Sequence, residues 1–90
     1  ANIYRDSATI RLSPRGRALM DLLGPHVEAA VANTAGKPDR RGWIRCTIPL
    51  ASAESGVREL MRLGAEVEVL APAPLRRQMV QALHSTLERY

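Results

Sequence analysis

The stretch Leu63-Gly64-Ala65-Glu66-Val67-Glu68-Val69-Leu70-Ala71-Pro72-Ala73-Pro74-Leu75-Arg76 leaves this chain the least choice of fold. Gly64 follows an amphipathic run and can take the left-handed conformation that closes a helix. Glu66-Val67-Glu68-Val69 alternates with period two, as a strand with one buried face does. Pro72 and Pro74 end that strand, and Pro74 carries the fixed φ favoured at a first helical position. Helix, short strand and helix in such quick succession commit the chain to a small α+β domain. Nothing in the stretch is catalytic.

Ala1 to Asp6 is a polar lead-in without periodicity, and residues 1–7 together read as a linker to something upstream of a domain spanning 8–90. From Ser7 to Leu12, Ala8, Ile10 and Leu12 face one way and Thr9 and Arg11 the other, which predicts a first strand. Ser13-Pro14 is a helix start, and the helix should run to Leu23, burying Ala18, Leu19, Leu22 and Leu23 until Gly24-Pro25 stops it. Val27 to Thr34 is ambiguous: its alanines suit a helix, but Val27, Ala29 and Val31 alternate, and the preceding stop argues for a strand. Residues 35–42 are turn chemistry. Trp43 to Leu50 is the clearest strand, with Ile44, Cys46, Ile48 and Leu50 inward and Trp43, Arg45 and Thr47 outward. Ser52 caps a helix whose buried face is Val57, Leu60 and Met61. Gly56 inside it costs on the order of 1 kcal/mol relative to Ala, which a close backbone approach to the sheet or a partner, or plain tolerance, accounts for equally well. Pro74 to Tyr90 reads as a long last helix with an apolar stripe of Leu75, Met79, Ala82, Leu83, Leu87 and Tyr90.

The predicted order is β-α-β-β-α-β with an added helix. That order predicts a ferredoxin-like α+β fold: a four-stranded antiparallel sheet in strand order 4-1-3-2, both helices on one face, and an additional C-terminal helix. Its outer face would carry Glu66 and Glu68 on strand four, Arg11 on strand one, Arg45 on strand three and Glu28 on strand two. Acid, base, base, acid across a sheet is a sensible cross-strand pattern. Outward Trp43, Thr47 and Leu70 suggest that another domain or subunit covers this face.

Composition bears on what surrounds the domain. Ninety residues without phenylalanine, and with 3% aromatics, must build a small aliphatic core, so association would help it. The net charge of +4 comes from twelve Arg and one Lys spread along the chain. Dispersed arginines usually form a solvated surface. Cys46 is alone, so no internal disulfide forms, which suits a reducing, cytoplasmic compartment. No apolar run reaches membrane-spanning length, and the missing initiator Met points to a fragment or a processed chain.

Catalytic chemistry finds little support. His26 and His84 have no Cys, Asp or Glu at metal-ligand spacing, Cys46 reads as an inert core thiol, and no phosphate loop or nucleophile elbow is present. The chain is therefore not expected to be an enzyme or to hold a metal or cofactor. Lys37, Arg40 and Arg41 form the one local basic cluster, with a solvated hairpin tip as its default reading. Trp43 could stack a nucleobase, though packing against a neighbouring domain or the terminal helix suits it better.

Three segments carry a resemblance: Ile10-Arg11-Leu12-Ser13-Pro14; Gly42-Trp43-Ile44-Arg45-Cys46-Thr47-Ile48-Pro49; and Leu60 to Pro72 followed by Leu75-Arg76 and Tyr90. Together they resemble the C-terminal extension (WCX) domain of bacterial WYL-domain transcriptional regulators, over residues 8–90. Ala71 stands where that family often has an acid, and Ala73-Pro74 where Pro-Glu is common. The resemblance implies a non-catalytic regulatory and dimerisation domain in a longer protein, with an N-terminal helix-turn-helix reading DNA and a WYL domain sensing an effector. It implies a WYL domain of the same or the partner subunit as the contact, a homodimeric parent, and DNA bound only through the N-terminal domain. Arg11, Trp43, Arg45, Thr47 and Leu70 are the candidate contact residues, and Lys37, Arg40 and Arg41 a possible basic contact loop. A free-standing ferredoxin-like ligand-binding module and an RNA-binding domain are the alternatives.

Overall fold

The computed structural model describes residues 6–90. Three strands carry the alternation: β1 (Asp6–Leu12), β2 (Ile44–Leu50) and β3 (Val67–Ala71). Ala8, Ile10 and Leu12, then Ile44, Cys46, Ile48 and Leu50, and finally Val69 are buried on one face. Because successive strand side chains point to opposite faces, the residues between them must project from the other side. The sheet is antiparallel in the order β2-β1-β3. α3 (Ala53–Met61) carries the chain from β2 to β3, so β2-α3-β3 is a β-α-β unit split by β1. β1 begins at Asp6, inside the expected lead-in; residues 1–5 of that lead-in lie outside the described residues.

The expected fourth strand is corrected: Val27–Thr34 lies in the helix α2 (Pro25–Thr34). Gly24, at φ 103°, turns the chain, and Pro25 opens a new helix. Val27 and Val31 are both buried while Ala29 is exposed, so the spacing of four decided the outcome and the spacing of two was incidental. The fold is thus α+β with three antiparallel strands among the described residues, and they keep the 4-1-3 part of the expected order. Glu28 leaves the sheet and is exposed on α2.

Where a fourth strand would have paired, the end of α2 and the following loop cover β2. The Thr34 hydroxyl accepts the Thr47 N–H at 2.9 Å and can donate its single proton to the Thr47 carbonyl (3.1 Å) or the Ala30 carbonyl (2.7 Å). The Gly36 N–H donates to the Arg45 carbonyl at 2.9 Å, and the Asp39 N–H to the Trp43 carbonyl at 2.8 Å. An edge strand's open backbone groups are thereby occupied, which guards against pairing with another chain. Pro49 falls in the same alternate row as Arg45 and Thr47, where a missing N–H breaks no bond to β1.

The first helix is also shorter than expected. Ser13 caps α1 (Pro14–Ala18), its side chain accepting the Gly16 N–H at 2.9 Å, and a 3-10 turn follows over Met20–Leu23. Gly16 faces Glu66 so closely that an added Cβ would lie 2.6 Å from its carbonyl oxygen. That docking sets which side of α1 is inward, and the tighter turn then brings Met20 into the core. Ala18 and Leu22, expected inside, are exposed. In α3, Ser52 accepts the Ser55 N–H at 3.1 Å, Val57 and Leu60 are buried, and Gly56 lies against Leu50. α4 (Ala73–Leu87) buries Leu75 and Met79 only; Leu83 at 48%, Leu87 at 69% and Tyr90 are exposed, so the outer half of the expected stripe stays outside the core.

Candidate functional site on the outer sheet face

The ladder places Arg11 at the centre of the face turned away from the core. It stands directly opposite Arg45 on β2 and opposite Glu68 on β3. Its guanidinium fork is used twice: Nη1 donates to Glu68 Oε1 at 2.7 Å and Nη2 to Asp39 Oδ2 at 2.7 Å. Its Cζ also sits 5.2 Å from the centre of the Trp43 ring, a cation–π geometry. Two carboxylates and a ring therefore hold one planar cation against the sheet.

Asp39 reaches this position because its own turn is closed on its side chain. Asp39 Oδ1 accepts the N–H of Arg41 at 2.8 Å and of Trp43 at 2.9 Å, while its carbonyl accepts the Gly42 N–H at 2.9 Å. Glu68 is shared as well. Its Oε2 lies 3.5 Å from Arg76 Nη1, and the same nitrogen donates to the Val69 carbonyl at 2.7 Å, which occupies an edge group of β3.

Charge states follow from these contacts. For Asp39 the largest single influence is desolvation, which raises a carboxyl; the Trp43 N–H, Arg11 and the Arg41 N–H together outweigh it and lower its pKa. Glu68 is lowered chiefly by the hydrogen bond from Arg11, against desolvation and with help from Arg76. The Arg11 guanidinium is raised by its bonds to Glu68 and Asp39. Cys46, on the inner face of β2, is pushed up to about 11 by burial.

Arg11 and Trp43 are thus brought together as expected, with Arg45 beside them. Arg45 is exposed and forms no ion pair with any carboxylate among the described residues. Thr47 is exposed two residues further along the same face, and Leu70 is half-buried on β3. Lys37, Arg40 and Arg41 are exposed in the loop between α2 and β2. Two expected neighbours are absent. Glu66 belongs to a 3-10 turn, Gly64–Glu66, where Oε1 accepts the Ser13 hydroxyl at 2.5 Å and the carbonyl accepts the Ser13 N–H at 3.0 Å. Glu28 is on α2. Asp39 and Arg76 take their places. The pattern Asp39-x-x-Gly42 held the signal for the first, since Asp commonly closes such a turn with its side chain. For Arg76 no sequence signal existed.

His26 and His84 are both exposed. Among the described residues no group of three His, Cys, Asp or Glu side chains could hold a metal ion, and no helix is long and apolar enough to cross a membrane. A hollow of about 670 Å³ runs along α4 beside Arg76, Arg77, Gln81 and His84. What the outer face offers chemically is a flat, preset array of hydrogen-bonded charges.

A family model of the WCX domain matches residues 4–87. The chain belongs to the WCX domain family. Neither a curated protein nor a solved structure matches it. The matched span runs through every strand and helix described above, so the Arg11 cluster, Arg45 and the 37–42 loop are all parts of the WCX domain itself.

Proposed function

We propose that this WCX domain is the non-catalytic regulatory and dimerisation domain of a WYL-family DNA-binding transcriptional regulator. Family membership over residues 4–87 is the observation that carries the reading. The domain packs its outer sheet face against a WYL domain of the same or the partner subunit and adjusts the regulator's response to its effector. It works without a cofactor of its own, in the cytoplasm, within a homodimeric parent whose N-terminal helix-turn-helix is the part that touches DNA. Support comes from the outer face: Arg11 is locked between Asp39 and Glu68, and a preorganised face loses little freedom on docking.

The test is the thermal stability of Arg45→Ala in the ninety-residue chain and in the longer parent. An exposed arginine without a partner should hardly matter in the chain alone. Once covered by another domain, its removal strips a desolvated charge from its partner, and the loss should be several times larger. A small, equal change in both would refute the role of this face. Light scattering that finds a strictly monomeric parent would refute the dimer.

A further inference from the structure

The charges on the outer face do not balance locally, and the imbalance has a direction. Both oxygens of Asp39 are engaged, one by Arg11 and one by two backbone N–H groups. Both oxygens of Glu68 face guanidinium groups, those of Arg11 and Arg76. No carboxylate is left for Arg45, although it stands directly opposite Arg11 in the ladder, and like charges so placed repel. Lys37, Arg40 and Arg41 are equally without ion pairs among the described residues.

Backbone hydrogen bonds bring the segments that carry these four cations together. The Gly36 N–H bonds the Arg45 carbonyl, which puts Lys37 beside β2, and the Asp39–Trp43 backbone bond folds Arg40 and Arg41 back onto the start of the same strand. Thr47 adds an exposed hydroxyl two residues beyond Arg45.

We infer that this surface, centred on Arg45, docks an acidic protein segment that supplies the carboxylates the domain lacks. The inference rests on the reading of the outer face as a contact surface and names the chemistry of what covers it. Guanidinium groups pair carboxylates in a bidentate fork, and the Arg45 fork has no carboxylate partner among the described residues. Single-stranded nucleic acid fits less well. The Trp43 ring that would stack a base already has Arg11 over it.

Amide NMR of the ninety-residue chain, titrated with a short polyglutamate peptide at low salt, tests this. Shifts should concentrate at Arg41, Arg45 and Thr47. Arg45→Glu should weaken binding roughly tenfold or more, whereas Arg77→Glu on α4, an equal change of net charge, should weaken it less than about threefold. Shifts spread over α4, equal losses in the two variants, or no binding would overturn the inference. So would an oligothymidylate that binds the same face more tightly than the peptide. None of these outcomes touches the stability comparison in the parent, which reads whether Arg45 is covered, whatever covers it.

Discussion

Gly16→Ala is the sharpest test of how the first helix is seated. The new methyl carbon would lie 2.6 Å from the Glu66 carbonyl oxygen, 3.2 Å from Glu66 Cβ and 3.3 Å from Ser13 Oγ, where ordinary contact begins at 3.4 Å. The nearest atom is backbone and cannot rotate away, so α1 must retreat by about 0.8 Å. That retreat strains two bonds anchoring the helix, from Ser13 N to the Glu66 carbonyl at 3.0 Å and from Ser13 Oγ to Glu66 Oε1 at 2.5 Å. Ser13 is 95% buried, so water cannot easily replace its partners. Each bond is worth about 1 kcal/mol, and more if a buried donor is stranded. Ala's better helix propensity returns up to about 1 kcal/mol. The net loss should be about 1–3 kcal/mol, or on the order of 10 °C in Tm for a domain of this size. Gly56→Ala is the internal control. Its added carbon would meet Leu50 Cδ1 at 2.9 Å and Cδ2 at 3.1 Å, side-chain atoms that can shift where a backbone carbonyl cannot, so its Tm should change less. Thermal and urea unfolding followed by circular dichroism reads both. A Gly16→Ala chain as stable as the parent sequence would refute the account of α1.

Arg11→Met should make stability less sensitive to salt and to acid. Asp39 and Glu68 have lowered folded pKa values, so their contribution is present above the ordinary carboxylate range and lost as pH falls through those lowered values. The unmodified chain should therefore lose stability below about pH 4, more steeply than Arg11→Met; parallel curves from urea titrations would contradict the cluster. Cys46, buried and with its pKa near 11, should react with a thiol reagent at pH 8 only after urea unfolds the chain, and prompt labelling of the folded protein would place it outside the core.

Local rules carried much of the fold. Period-two alternation located β1, β2 and β3, Ser13 and Ser52 announced their helices through side-chain caps, and Gly64, at φ 58°, closes its segment as expected. Because a strand's register also sets which residues share a face, the meeting of Arg11, Arg45 and Glu68 was legible as well. Asp39 and Arg76 were not, because each enters the face from outside its strands, through a turn and through the first part of a helix.

What the sequence determined by itself, then, is whatever depends on spacing along one segment: three strands, their inward residues, and the capped starts of α1 and α3. Tertiary structure decided three things. Val27 to Thr34 could satisfy period two or period four, and packing of Val27 and Val31 into the core selected the helix, leaving Thr34 to close the β2 edge. Glu66 was drawn to Ser13 by the close seat of Gly16, a contact between residues fifty positions apart that no local pattern encodes. The outer half of the α4 stripe stayed exposed because a core of this small size has room for Leu75 and Met79 and no further layer beneath Leu83 and Leu87, and hydrophobicity specifies that a residue can be buried without supplying the surface to bury it against.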